Sequence, residues 1–164
     1  MSDEIIHAFS AALEQGSVTA LDFFTPDAVY HDFIHGEFHG REALNGFFRR
    51  WEKDGQGYVW RFFDVMADAT QGYARWYFAY RRLRGIPRKR KPEGVFLELC
   101  GMSHFRFRAG RIAEYRETLN PGTSLLEMGL SAPTLIRQLE RHAAREQAET
   151  VAVRERLGLP DPRV

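Results

Sequence analysis

The chain has 164 residues, 44% of them apolar and 27% charged, with a formal net charge of +1. That length suits one domain with a real core. The balance excludes a disordered chain, and near-neutrality gives the whole molecule no attraction for polyanions. Cys100 is the lone cysteine, which excludes an intrachain disulfide; inside an apolar strand it reads as a small buried hydrophobe. The opening MSDEIIHAF is acidic where a secretory leader would be basic, and no apolar run approaches the ~20 residues of a membrane span. A cytoplasmic protein is therefore expected, with neither membrane nor nucleic acid as partner.

The first helix is expected over Ser2–Gln15. Ile5, Ile6, Phe9, Ala12 and Leu13 recur at helical spacing, Asp3 and Glu4 favour the first turn, and Gly16 ends it. Ser17 then caps a short helix carrying Leu21, Phe23 and Phe24, which stops before Pro26. Ala28–Ile34 reads as a strand with Tyr30, Asp32 and Ile34 on one side and Val29, His31 and Phe33 on the other. The stretch HGEFHG reads as a tight loop. Arg41–Trp51 is a third helix with an apolar stripe of Ala43, Leu44, Phe47, Phe48 and Trp51.

From Gly57 the period changes from helical to alternating. Tyr58–Ala67 and Gln71–Leu83 are long strands joined by a turn at Asp68–Thr70, and RGIPRKRKPEG is a polar connection that cannot be interior strand. Leu97–Leu119 reads as two further strands bent at Ala109 and Gly110, ending at Asn120, Pro121 and Gly122. Phe105 and Phe107 face one way there. On the returning strand, alternation sets Ala113, Tyr115, Glu117 and Leu119 against Ile112, Glu114, Arg116 and Thr118. Early helices followed by a long antiparallel sheet point to an α+β domain. Past it, Ser131 and Pro133 start a helix whose thin stripe of Leu135, Ile136, Leu139, Ala143 and Val151 needs a surface to lie on, in its own domain or in a second subunit, or leaves a mobile tail. The expected division is a domain over 1–125 and a helical extension over 126–164.

The run AALEQGSVTALDFFTPDAVYHDFIHGEFHGREALNGFF, together with the closing pattern GxSxFxFxxGRIxEYRE, resembles the nuclear transport factor 2-like superfamily over roughly residues 3–122. The group it resembles most is that of SnoaL-like polyketide cyclases and ketosteroid isomerases. The resemblance implies a cone in which a curved, mixed but mainly antiparallel sheet wraps around three N-terminal helices, with the last helix as an addition. It also implies a hydrophobic pocket, no cofactor and no metal. Asp32, in DAVYHD, matches the general base of the isomerases. Phe9 matches their oxyanion-binding tyrosine and Ser103 their neutral aspartic acid, so two of three functional groups are replaced and steroid isomerisation is not expected. Glu117 matches the acid or base on the last strand of the cyclases.

Alternation and resemblance together put Asp32 and Glu117 on one face with Tyr30 and Tyr115. Two carboxyls in a partly apolar pocket can separate their pKa values, as acid–base catalysis requires. Asp32 is the expected base, Glu117 the acid or second base, and Tyr30, Tyr115, Arg75, Ser103 and Phe9 the expected substrate-binding residues. The opposing readings are a loop cap for Asp32 and an ion pair with Arg75, Arg106 or Arg116 for Glu117. The expected reaction is cyclisation, isomerisation or dehydration of an aromatic or alicyclic carbonyl compound. Two alternatives stand beside it: a noncatalytic ligand-binding or dimerisation module, favoured if Phe9, Phe24, Phe47 and Tyr30 seal the pocket, and an epoxide hydrolase built on Asp32, Arg75 and Glu117. His31, His35 and His39 could form a three-histidine metal site only if the loop brought them together. The basic run Arg81, Arg82, Arg84, Arg88, Lys89, Arg90 and Lys91 reads as a solvated hairpin loop. Which face of the strand bearing Arg75 and Trp76 looks inward stays open. A homodimer is expected, because Trp and Phe residues on the outer sheet face would otherwise be exposed.

Overall fold

The computed structural model describes residues 2–83 and 95–162. The chain forms two compact units, Met1–Gly129 and Leu130–Val164. In the first, α1 (Ser2–Gln15), α2 (Ser17–Ala20) and a single 3-10 turn (Leu21–Phe23) lead into β1 (Phe24–Asp32). β2 (Gly36–His39), α3 (Gly40–Asp54), β3 (Gly55–Ala67), β4 (Gln71–Arg82), β5 (Val95–Arg108), β6 (Arg111–Thr118) and α4 (Pro121–Glu127) follow. The six strands make one curved, unclosed sheet in the order β2-β1-β6-β5-β4-β3. Only β1 and β6 run parallel; the other neighbours are antiparallel. This is the mixed, mainly antiparallel α+β architecture expected from the sequence.

Helix α1 lies on β3 and α3 lies on β1. The apolar stripe of α1 buries Ile6, Phe9, Ala12 and Leu13, and that of α3 buries Leu44, Phe47 and Phe48. Ser10, the one polar residue buried on α1, is satisfied by donating to the Trp60 carbonyl at 2.6 Å. The same sheet face supplies Trp60, Phe62, Ala74, Trp76, Phe78, Leu97 and Phe105, all buried. Trp76 and its alternates Phe78 and Tyr80 therefore look inward, and Tyr73, Arg75 and Tyr77 look outward.

Four local expectations change. Phe24 belongs to β1, which passes through Pro26; HGEFHG is largely strand β2, paired Val29↔His39 to Asp32↔Gly36, where glycines had suggested a loop. Alternation breaks on β6. Arg106 pairs with Glu114 but Phe107 with Ile112, so Ala113 is an extra residue in a bulge, and Ile112 and Tyr115 are both fully buried instead of facing opposite ways. Cys100 is exposed on the outer face, because it pairs with outward-facing Tyr77. Beyond β6, Asn120 caps α4 by accepting from Thr123 N at 3.2 Å, with Pro121 at the first helical position. The tryptophans expected on the outer face lie inside.

In the second unit, α5 (Ala132–Arg156) has no buried residue, and Arg154 near its end pairs with Asp161 at 3.2 Å. No described helix is long and apolar enough to cross a membrane. Arg84, Arg88, Lys89, Arg90 and Lys91 of the basic run lie outside the described residues.

Candidate functional site

A partly enclosed cavity of about 130 Å³ opens on the helix-covered face of the sheet. Phe47, Phe48 and Trp51 of α3 form one wall, and Trp60, Trp76, Phe78 and Tyr80 of β3 and β4 another; Leu99, Leu119 and Met128 close the far side. Polar groups enter at few points: Tyr30, Asp32 and His35 around the end of β1, Glu117 on β6, and Asp54 with Arg82. A mostly aromatic hollow with a few convergent polar groups is the ordinary make-up of a small-molecule site. Its volume is close to the roughly 150 Å³ that holds a benzene ring in other proteins.

The parallel pairing of β1 with β6 brings the two acids together. Tyr30 sits opposite Tyr115 in register, and their rings stack at 4.6 Å. Two residues on, Asp32 and Glu117 meet in the cavity. Asp32 Oδ1 accepts from Ile34 N at 2.8 Å and His35 N at 2.6 Å, and lies 2.8 Å from His35 Nδ1. The two backbone donors make Asp32 the cap of the turn after β1, the opposing reading offered for it, and fix its orientation at the cavity. Glu117 has a different setting. Burial pushes its pKa well above the usual carboxylate range, the Asp32 charge pushes it further, and a hydrogen bond between the two carboxyls acts the same way. The Phe33 N donor at 3.1 Å and the Tyr115 hydroxyl at 3.3 Å pull it down without cancelling burial. Burial and the neighbouring Asp32 thus favour the protonated form of Glu117 more than water does for a free carboxyl.

Behind Glu117 runs a short relay. Ser103 Oγ donates to the Tyr115 hydroxyl at 2.9 Å, and Tyr115 donates to Glu117. Burial, and next the Glu117 carboxyl, raise the Tyr115 pKa well above that of a free phenol, so its proton stays in place. Tyr30 is raised by burial first and then by Tyr115.

Of the expected site residues, Asp32, Glu117 and Tyr30 line the cavity. Tyr115 and Ser103 lie one layer behind and reach it through Glu117. Two expectations are corrected. Phe9 is fully buried against Phe23, Phe24, Phe62, Phe105 and Tyr115 and does not line the cavity; the position that would carry a hydroxyl is core. Arg75 is on the outer face, paired with Asp64 at 3.3 Å and lying over the Phe63 ring. An Asp32–Arg75–Glu117 hydrolase arrangement is therefore not formed. The three histidines also part company. His31 and His39 share Glu37 at 3.0 and 3.1 Å, whereas His35 turns to Asp32, and among the described residues no group of three or more His, Cys, Asp or Glu could hold a metal ion.

Sequence reasoning missed His35, Trp60, Trp76, Asp54, Arg82 and Met128. His35 follows Asp32 by three residues, the spacing of a side chain that folds back over a turn. Met128 follows a helix whose signal, Asn120 before Pro121, was legible.

Among curated proteins, none matches this chain in sequence. Solved structures do resemble it. A protein from Catenulispora acidiphila with a ketosteroid isomerase-like fold, in complex with trimethylamine, is 18% identical with a TM-score of 0.66 over 79% of this chain and 95% of that one. A SnoaL-like polyketide cyclase from Agrobacterium tumefaciens is 16% identical with a TM-score of 0.61 over 77% and 95%. TerC, co-crystallised with polyporic acid, is 13% identical with a TM-score of 0.64 over 79% and 98%. At such identities the likeness is one of fold: the nuclear transport factor 2-like fold of ketosteroid isomerase. The family model for the SnoaL-like domain matches residues 6–115, more than half of the chain, and the protein belongs to that family.

Proposed function

We propose that the protein is a small-molecule enzyme that moves protons on an aromatic or alicyclic carbonyl compound, with Asp32 as base and Glu117 as acid. The observation that carries this reading is the meeting in one aromatic cavity of Asp32, whose Oδ1 accepts from Ile34 N and His35 N, with Glu117, whose pKa burial pushes well above the usual carboxylate range. Asp32 takes a proton from the carbon beside the substrate carbonyl, and Glu117 gives its proton to the oxygen, leaving an enol. Return of the proton at another carbon is isomerisation. Attack of the enol carbon on a second carbonyl is cyclisation, and loss of a β-hydroxyl as water is dehydration. Tyr115 and Ser103 hold Glu117 in position. The polyketide cyclase and the polyporic acid complex of the same fold support a small organic substrate.

The test is solvent exchange on a simple probe. With 1-indanone in deuterium oxide, proton NMR follows loss of the hydrogens beside the carbonyl. The wild type should exchange them faster than buffer alone, and Asp32→Asn should slow the protein-dependent rate by roughly a hundredfold or more. No exchange by the wild type, or an undiminished rate in the Asn variant, would contradict the assignment.

A further inference from the structure

One wall of the cavity is set by a pair of residues that share a single side-chain space. Trp76 on β4 lines the cavity and is 2% exposed, and Gly101 on β5 is its cross-strand partner. A Cβ at Gly101 would come within 2.7 Å of Trp76 Cε2, closer still to Cζ2, and within 2.6 Å of the Thr118 carbonyl oxygen. One edge of the indole therefore occupies the place of the side chain that Gly101 lacks. In a close-packed interior, a side chain at 101 could enter only by pushing the ring toward the cavity.

The ring is held on its other sides too. Trp60 meets it nearly edge to face, with centroids 6.1 Å apart, and Phe62 is its partner on β3; both are buried. Its place relative to the acid follows from register. Ser103 pairs with Glu117, and Gly101 lies two residues before Ser103 on the same strand face. The indole is thus one side-chain row, about 7 Å along the strand, from the row of Glu117. Within the roughly 150 Å³ that holds one benzene ring elsewhere, a cavity of about 130 Å³ bounded this way has little room for further rings.

We propose that Trp76, seated on Gly101, is the residue that sets ligand size: it restricts the site to a single ring or a small fused pair, and a smaller side chain there admits a third ring. This specificity role rests on the cavity being the ligand site. It does not depend on Asp32 and Glu117 acting as base and acid.

The test is titration calorimetry with two planar ketones, 1-indanone with two fused rings and 9-fluorenone with three. The wild type should prefer indanone. Trp76→Leu should bind fluorenone about tenfold or more tightly than the wild type does, through the apolar surface of the added ring, and should hold indanone more weakly. Trp76→Phe should fall between, and it keeps a buried aromatic residue, so it carries the test if the Leu variant does not fold. The seat itself is read by thermal unfolding. The clash of an added Cβ with the Thr118 carbonyl is common to both backgrounds, whereas the clash with the indole exists only beside Trp76. Gly101→Ala should therefore lower the Tm of the wild type more than that of Trp76→Phe. An unchanged size preference in both Trp76 variants, a wild type that prefers fluorenone, an equal Tm loss in the two backgrounds, or no binding of either ketone by any variant would overturn the proposal. Indanone exchange that depends on Asp32, with size preference unaltered, would sink the size limit and leave the acid–base assignment standing. A shifted preference without exchange would do the reverse.

Discussion

Glu117 shows how place alone sets the chemistry of a side chain. Its folded-state pKa is raised above the ordinary 4.5, chiefly by burial and then by Asp32. The neutral form is thus favoured in the folded chain, and the stability it contributes is fully present below about pH 4.5 and lost as pH rises through the raised value. The slope for one such group is at most about 1.4 kcal/mol per pH unit. Glu117→Gln cannot ionise. In urea denaturation between about pH 4.5 and 8 the variant should therefore gain on the wild type as pH rises, and a gap independent of pH would contradict the raised pKa. At this scale the sequence was legible where alternation held: Asp32, Tyr30 and Glu117 were found from period-two patterning and from family likeness. Phe9 and Arg75 were misplaced for different reasons. Phe9 occupies a matching position, but its side chain packs on five other rings. Arg75 sits on a strand with large residues on both faces, and periodicity alone cannot say which face is covered.

At the scale of elements, the helices and long strands announced themselves through stripes and alternation, and the irregular joints did not. The bulge at Ala113 decides that Ile112 and Tyr115 both face the core, yet Ala113 carries no composition signal for it. Strand β2 was hidden because Gly36 and Gly40 look like loop punctuation; both have positive φ, and the four residues starting at Gly36 still pair with β1. Gly101 is the telling case on β5. Read from sequence it is a weak strand residue; in the fold its missing side chain is what lets Trp76 lie against the sheet and shape the cavity wall. The acid pair itself depends on the single parallel junction, β1 with β6, because only that register sets Tyr30 opposite Tyr115 and brings Asp32 toward Glu117. Strand pairing of this long-range kind is not written in either segment alone.

For the whole molecule, the outer sheet face is the surface left to explain. Tyr73, Phe96 and Met102 are 46%, 62% and 50% exposed on β4 and β5, where cross-strand pairing puts them on one side. We propose that a second copy of the chain covers this face; the residues differ from the tryptophans first expected there, which are inside. Sedimentation should give twice the 19.0 kDa chain mass, and Phe96→Glu with Met102→Glu should give a monomer. A wild type that sediments as a monomer at high concentration would remove the dimer and leave the cavity untouched.

Glu117 can serve as the acid only if its pKa is raised, and carbon-13 NMR can read that without any substrate. The Glu117 Cδ resonance, assigned by its loss in Glu117→Gln, should titrate with a midpoint above the ordinary 4.5. A midpoint at or below that value would mean that Glu117 is an ordinary ionised carboxylate, and the cavity would have no acid to offer.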